Sequence, residues 1–208
     1  MEIEQRAKHL VAVVGAGPAG LYAAKQLAAE NVEVVVFNRD IRPGGLAEYG
    51  IYPTKVKMKE GLRAQFRQIL QSPHITYYGN VWISAMDDGD LTIPELRSLG
   101  FDAFLVTTGA QGTKTLGLPG ETLNGVFHAK DVCFHYNQLP PYGERILEIG
   151  KRVAVVGVGN VALDMTHWLV EFCHVDEVMV IARRGPAEVK FDKKELEWVI
   201  ANLDLAAL

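Results

Sequence analysis

The chain has 208 residues, of which 49% are hydrophobic and 22% charged, and its formal net charge is -4. This composition is typical of a globular protein and excludes a disordered chain, while the acidic balance argues against nucleic acid as the main partner. The two cysteines, Cys133 and Cys173, form no CxxC pair, which excludes a disulfide framework and favours a reducing, cytoplasmic compartment.

The hydrophobic pattern predicts alternating strands and helices in the first half of the chain. An apolar run at 9–14 ends in glycine and predicts a buried parallel strand. Apolar residues at helical spacing follow over 19–30, and a β-branched run at 33–37 predicts a second strand. A loop rich in Gly and Pro is expected over 38–53 and an amphipathic helix over 57–70. The first three elements form a β-α-β unit of the usual length, about 30 residues.

Shorter elements are predicted next. Strands are expected at 75–78 and 81–83. Thr92 has the properties of a helix N-cap, with Glu95 at the capping-box position. A buried strand is expected over 102–107 and ends near glycine.

A glycine-rich connecting segment over 112–150 separates this region from a second β-α-β unit. That unit has a strand at 152–156, a helix at 161–171 and a strand at 177–181, and a last helix is expected from 192 onward. No stretch of about 20 apolar residues is present, so no membrane span is expected. The pattern predicts an α/β protein with two Rossmann-like dinucleotide-binding units.

The first glycine motif, G-x-G-x-x-G, directly follows the first predicted strand and opens the first helix. Gly15 permits the tight turn, Gly17 lets the backbone approach a pyrophosphate, and Gly20 lets the helix pack on the strand. This context predicts a dinucleotide site, the alternative being a tight turn that only requires small residues. The second strand ends in Asn38 instead of the usual acid, so the adenosine ribose would be bound by that amide or by Asp40.

The second glycine motif, G-x-G-x-x-A, again lies between a predicted strand and a helix. It contains Gly157, Gly159 and Ala162, and the strand that follows ends at Arg183 and Arg184 instead of an acid. Because a guanidinium group binds phosphate with two charge-assisted hydrogen bonds, this pair favours NADP over NAD. The alternative is a solvated arginine pair at a strand end.

Several short motifs together resemble the adrenodoxin reductase type of ferredoxin–NADP reductase, a relative of the glutamate synthase small subunit. The motifs cover nearly the whole chain. They are Val14–Gly20, Pro43–Gly50, Tyr78–Val81, Leu118–Glu121, Gly157–Asp164, Arg183–Pro186 and Lys194–Leu196.

The resemblance implies that the first unit, over 1–111, holds FAD and the second, over 151–208, holds NADP. The residues implied for FAD are Gly15, Gly17, Ala19, Gly20, Asn38, Gly45, Leu46, Val81 and Gly109. The residues implied for NADP are Gly157, Val158, Gly159, Asn160, Val161, Arg183, Arg184 and Glu195. For Glu195, a surface acid on the last helix is the alternative.

The chain departs from the family at two points. Family members carry an Asp-His-Pro stretch near the flavin, whereas this chain has the sequence Tyr52–Lys55 without a histidine. Family members are also considerably longer, so the chain resembles the N-terminal half of such an enzyme, truncated at its C-terminus. We expect an uncovered sheet edge and apolar surface, and FAD binding that is weak or that needs a partner supplying the missing half.

The implied activity is hydride transfer from NADPH to FAD, followed by electron transfer to a ferredoxin-like iron–sulfur protein. No catalytic acid or base is predicted, since hydride transfer does not require one. No metal site is predicted, because none of the six histidines lies in a spacing typical of metal ligands. One alternative is an electron-input subunit similar to the glutamate synthase small subunit, which would serve a larger partner subunit. The other is a non-catalytic nucleotide-binding fragment.

Overall fold

The computed structural model describes residues 9–86, 88–183, 188, 191, 193–204 and 206. The chain forms two compact units. The first contains the residues up to Thr113 together with Cys133–Gly143, and the second contains Lys114–Val132 together with the residues from Glu144 onward.

The first unit is built around a parallel sheet with helices along its connections. Its strands are β1 Leu10–Val14, β2 Glu33–Asn38, β3 Ile75–Gly79, β4 Ile83–Ser84, β5 Leu91–Thr92 and β6 Ala103–Val106. Its helices are α1 Pro18–Ala29, α2 Leu46–Tyr49, α3 Val56–Leu70 and α4 Ile93–Ser98. Helix α5, Ala129–Tyr136, and a 3-10 turn, Tyr142–Glu144, each contain residues of both units.

The main sheet has the strand order β3-β2-β1-β6, and all its pairs are parallel. β1 is an inner strand, and its residues Ala12 and Val13 are fully buried. Leu21 and Ala24 of α1 are also fully buried and belong to the same core as Val13. The predicted β-α-β unit is therefore confirmed, and its packing places the start of α1 at the carboxyl end of β1.

A capping box begins α4, as its sequence predicts. The backbone N–H of Glu95 donates to Thr92 Oγ1 at 3.4 Å, and the backbone N–H of Thr92 donates to Glu95 Oε2 at 2.7 Å. Two otherwise unsatisfied donors at the helix start are thereby paired.

The second unit contains the second predicted β-α-β arrangement. Strands β7 Arg152–Val156 and β8 Glu177–Ile181 pair in parallel, α6 Asn160–Glu171 connects them, and α7 spans Lys193–Ile200. Both strands have the predicted bounds. Leu163, Trp168 and Leu169 form part of the buried face of α6.

Four predictions about elements need correction. The strand at 103–106 is not buried: it is the edge strand β6, and its Val106 is 64% exposed. Residues 81–83 supply only the start of β4, which pairs with β5 outside the main sheet. The loop at 38–53 contains α2, and α5 lies where no helix is predicted.

Among the described residues, none of the helices has the length and apolar character of a membrane span.

Candidate functional site

The first glycine turn connects β1 to α1, and two of its glycines are required by the fold itself. Gly15 has a φ of 109°, and a Cβ there would lie 2.6 Å from the carbonyl oxygen of Thr107. A Cβ at Gly20 would lie 2.0 Å from the carbonyl oxygen of Gly15. No side chain fits at either position, because backbone atoms already occupy the space.

Gly17 is different, because a Cβ there would meet no atom within 4 Å. It is the N-cap residue of α1, and the first-turn residues Pro18, Ala19 and Gly20 follow it. The backbone N–H groups in a first helical turn have no carbonyl partner earlier in the helix, and the helix dipole is positive at this end. The open space above Gly17 is therefore suited to an anionic group such as a pyrophosphate.

Two other segments hold this turn in place. The N–H of Gly44 donates to the carbonyl oxygen of Ala16 at 2.7 Å, which attaches the Gly-rich loop to the turn. Thr107, which directly follows β6, donates from Oγ1 to the carbonyl oxygen of Gly15 at 2.8 Å. The glycine motif does not predict Thr107. The signal that could have identified it is its position after a strand neighbouring β1, since parallel strands end at the same sheet edge.

A cavity of about 170 Å³ lies at the carboxyl ends of β1 and β2. Its lining residues are Val14, Gly15, Phe37, Asn38, Arg39, Asp40, Val81, Trp82, Ile83, Thr108 and Gln111. Of the residues predicted for FAD, this cavity brings together Gly15, Asn38 and Val81. The motif does not predict Thr108 or Gln111. A larger depression, of about 380 Å³, lies against α1 and α3 and contains no residue of the glycine motif.

The remaining residues predicted for the first site do not line this cavity. Ala19 is in the first turn of α1. Gly45 has a φ of 52° and packs on Gly17, since a Cβ there would lie 3.1 Å from the Gly17 Cα. Leu46 begins α2 and is 64% exposed. Gly109 follows β6 with a φ of 69°.

The side chain of Asn38 is buried, with 6% exposure, and connects three parts of the site. Its Oδ1 accepts a hydrogen bond from the backbone N–H of Ala16 at 3.1 Å. Its Nδ2 donates to the carbonyl oxygens of Asp40 at 2.8 Å and Arg42 at 3.2 Å, and lies 3.3 Å from the hydroxyl of Tyr77. Asn38 thus fixes the glycine turn relative to the loop after β2.

Polar side chains cross the mouth of the cavity. Arg39 Nη2 donates to Gln111 Oε1 at 3.3 Å, and Gln111 Nε2 donates to the carbonyl oxygen of Thr108 at 2.6 Å. Arg39 Nε lies 3.5 Å from Asp40 Oδ1, and the Asp40 side chain is 20% exposed. The cavity therefore presents one carboxylate and one guanidinium group to a ligand.

A buried carboxylate within the Gly-rich loop attaches α2 to α3. Glu48 is 5% exposed and accepts hydrogen bonds from Arg63 Nε at 2.7 Å and from Arg63 Nη2 at 2.6 Å. The hydrogen bonding from Arg63 lowers the pKa of Glu48 and outweighs its desolvation. Lys59, also buried, donates from Nζ to Asn137 Oδ1 at 2.8 Å, and burial lowers the pKa of Lys59.

The second glycine turn connects β7 to α6. Gly157 has a φ of 121°, and its N–H donates to the carbonyl oxygen of Ile181 at 2.9 Å. Gly159 is the N-cap of α6, and a Cβ there would meet no atom within 4 Å. Val158 lies between these glycines, and the exposed Val161 lies in the first turn of the helix. This turn therefore also offers open space at a helix N-terminus, which suits an anion.

The structure describes some of the predicted NADP residues and not others. Asn160 is the first residue of α6. Arg183 is exposed and lies two residues beyond Ile181, whose carbonyl oxygen binds the glycine turn. Arg184 and the side chain of Glu195 lie outside the described residues.

The family model described as pyridine nucleotide-disulphide oxidoreductase matches residues 9–203. The chain belongs to this family. Among the curated oxidoreductases, the mitochondrial NADPH:adrenodoxin oxidoreductase of Salvelinus fontinalis is 32% identical over 91% of this chain and 41% of its own length. The NADPH-ferredoxin reductase FprA of Mycobacterium leprae is 31% identical over 90% of this chain and 46% of its own length.

The chain is also similar to solved structures. Mycobacterium tuberculosis FprA in complex with NADPH superimposes with a TM-score of 0.80 at 28% identity, over 95% of this chain and 48% of that one. The resemblance to adrenodoxin reductase-type enzymes and the α/β class with Rossmann-like units are therefore confirmed. The chain spans about half the length of the relatives it matches.

Proposed function

We propose that the complete protein is a flavin-dependent NADPH oxidoreductase that passes electrons to a ferredoxin-like iron–sulfur protein. The observation that carries this proposal is the presence of two strand–glycine turn–helix units, each with open space at a helix N-terminus, in one chain of this family. The relatives named as adrenodoxin and ferredoxin reductases support the choice of partner.

The first turn and its cavity fit the adenosine and pyrophosphate parts of FAD. Gly17 would receive the pyrophosphate, because a Cβ there would enter open space. The cavity that contains Asn38 and Val81 would hold the adenosine. Ala19, Gly45, Leu46 and Gly109 would contribute contacts around it, while Gly15 and Gly20 keep the turn in shape. When bound, FAD supplies the redox chemistry.

The second turn fits NADP by the same reasoning. Gly157, Val158, Gly159, Asn160 and Val161 would surround the pyrophosphate at the start of α6. Arg183, together with Arg184, would bind the phosphate on the adenosine ribose, since Arg at this position receives a 2′-phosphate. Glu195 remains a proposed NADP contact.

The chain's own residues bind and orient the two nucleotides. We assign no side chain as a general acid or base, because hydride transfer moves no proton to or from a protein group. A reducing compartment is part of the proposal, since Cys133 and Cys173 are both thiols. Relatives of this chain include mitochondrial enzymes.

Anaerobic absorbance spectroscopy tests this function. The complete protein is incubated with FAD, freed of excess, and titrated with NADPH. We expect flavin absorbance bands that bleach on addition of NADPH and return when an oxidised ferredoxin is added. Bound flavin that stays oxidised under NADPH would contradict the proposed activity, and so would a complete protein that retains no FAD.

A further inference from the structure

The first cavity contains a carboxylate that the glycine motif does not require. We infer that Asp40, and not Asn38, is the residue that accepts the hydroxyl groups of the adenosine ribose, and that Asn38 is a positioning residue. This inference rests on the proposed FAD site of the first unit. It assigns to Asp40 the contact that the residue ending the second strand makes in other dinucleotide sites.

The amide of Asn38 is already engaged by the protein. An amide group offers two N–H donors and one carbonyl oxygen. The nitrogen donates to the carbonyl oxygens of Asp40 and Arg42, and the oxygen accepts from the N–H of Ala16. Turning this group toward a ribose would break buried hydrogen bonds that hold the glycine turn, so its contribution to recognition is indirect.

In contrast to Asn38, Asp40 is fixed at its backbone, and its side chain reaches the cavity. Its backbone is fixed, because its carbonyl oxygen accepts from Asn38 Nδ2 at 2.8 Å and from the N–H of Asn80 at 3.3 Å. Its side chain lines the cavity and keeps 20% exposure. A carboxylate has two acceptor oxygens, which suit the two adjacent hydroxyl groups of a ribose, and such hydrogen bonds are charge-assisted.

The negative charge of Asp40 distinguishes FAD from a nucleotide with a 2′-phosphate. A ribose with free 2′- and 3′-hydroxyl groups satisfies Asp40, whereas a 2′-phosphate would be placed against its carboxylate. Arg39 does not reverse this preference, because its guanidinium is shared between Asp40 and Gln111. The first cavity therefore selects an adenosine without a 2′-phosphate, as in FAD, and the exposed Arg183 of the second unit suits the phosphorylated one.

Competition against FAD tests this assignment. FAD fluorescence is titrated with wild type, Asp40→Asn and the control Asp88→Asn, which changes an exposed carboxylate outside the cavity. ADP and 2′,3′-dideoxy-ADP then serve as competitors. We expect Asp40→Asn to weaken FAD and ADP about tenfold or more. We expect it to leave dideoxy-ADP unchanged, since that nucleotide has no hydroxyl for Asp40 to accept.

Asn38→Asp provides the second test. If Asn38 only positions the turn, a carboxylate there loses the donors to the carbonyl oxygens of Asp40 and Arg42, so the thermal unfolding temperature falls and FAD binds no more tightly. Tighter FAD binding by Asn38→Asp would overturn the inference. So would FAD affinity that is unchanged in Asp40→Asn, or an equal loss for ADP and dideoxy-ADP. A complete wild-type protein that does not bind FAD would instead overturn the proposed function on which the inference rests.

Discussion

The glycines of the first turn meet different physical demands. Gly15 and Gly20 lie against backbone atoms, so any Cβ would collide with a carbonyl group that cannot move alone. Gly17 faces open space, so its backbone is accessible to a ligand. The motif predicts all three positions, but only the structure distinguishes those that the fold requires from the one available for binding.

Two alanine substitutions in the first unit should have opposite effects. Gly20→Ala places a Cβ 2.0 Å from the Gly15 carbonyl oxygen, so we expect the free energy of unfolding to fall by about 3 kcal/mol or more. Gly61→Ala fills open space on an exposed position of α3 and should raise that energy by about 0.5–1 kcal/mol. Urea unfolding measures both. A Gly20→Ala midpoint equal to that of wild type would refute the packing argument.

The contacts of single polar side chains are harder to predict from the sequence than the glycine turns are. The sequence identifies Asn38 as the residue at the end of the second strand, but not that its amide binds Ala16 and the loop after β2. Thr107 and Gln111 lie in the segment that follows β6. Thr107 is more than 90 residues beyond Gly15, to whose carbonyl oxygen it donates. Contacts between segments so far apart leave no local pattern in the sequence.

Among the elements, the short helix α2 is held in place by the ion pairs of one buried carboxylate, Glu48. It is only four residues long and is held to α3 by Glu48 and Arg63. Hydrogen bonding from Arg63 lowers the pKa of Glu48 in the folded protein. The pair therefore contributes its full stabilisation at a pH above 4.5, the ordinary pKa of a glutamate. This stabilisation is lost as the pH falls through the lowered pKa that Glu48 has in the folded protein.

Removal of this charge should destabilise the protein. Glu48→Gln leaves Arg63 beside a neutral group, and we expect a loss of about 2 kcal/mol at pH 7. Stability measured below pH 4.5 should then fall less steeply with acid than it does in wild type. Glu60→Gln is the control, because Glu60 binds the same arginine but its side chain is 57% exposed, so its removal should cost under about 0.5 kcal/mol. Equal losses in the two variants would contradict a structural role for the buried pair.

Prediction of elements succeeded where a local signal was strong. Strands β7 and β8 follow from their β-branched runs, and the N-cap of α4 follows from Thr92 and Glu95. The short helix α2 was missed, because its stability comes from the contact between Glu48 and α3 and not from a helical repeat. Burial of β6 was wrongly predicted, since an apolar run does not reveal whether a strand lies inside a sheet or at its edge.

At the scale of the whole molecule, we propose that two similar folding units bind different nucleotides. Both units contain a glycine turn at a helix N-terminus with open space at the second glycine. They differ in the group that follows the second strand, which is Asp40 in the first unit and Arg183 in the second. Under the proposed function, the backbone turn would bind phosphate in either unit, and these side chains would determine which adenosine each unit accepts.

A crossed titration shows whether each unit binds its own nucleotide. FAD and adenosine 2′,5′-bisphosphate are each titrated into wild type, Gly17→Ala and Gly159→Ala, whose added methyl groups meet no atom within 4 Å and should cost about 1 kcal/mol or less in stability. We predict that Gly17→Ala weakens FAD about tenfold or more and leaves the bisphosphate unchanged, and that Gly159→Ala does the reverse. If each substitution weakens both ligands equally, or neither, the assignment of one nucleotide to each unit is wrong.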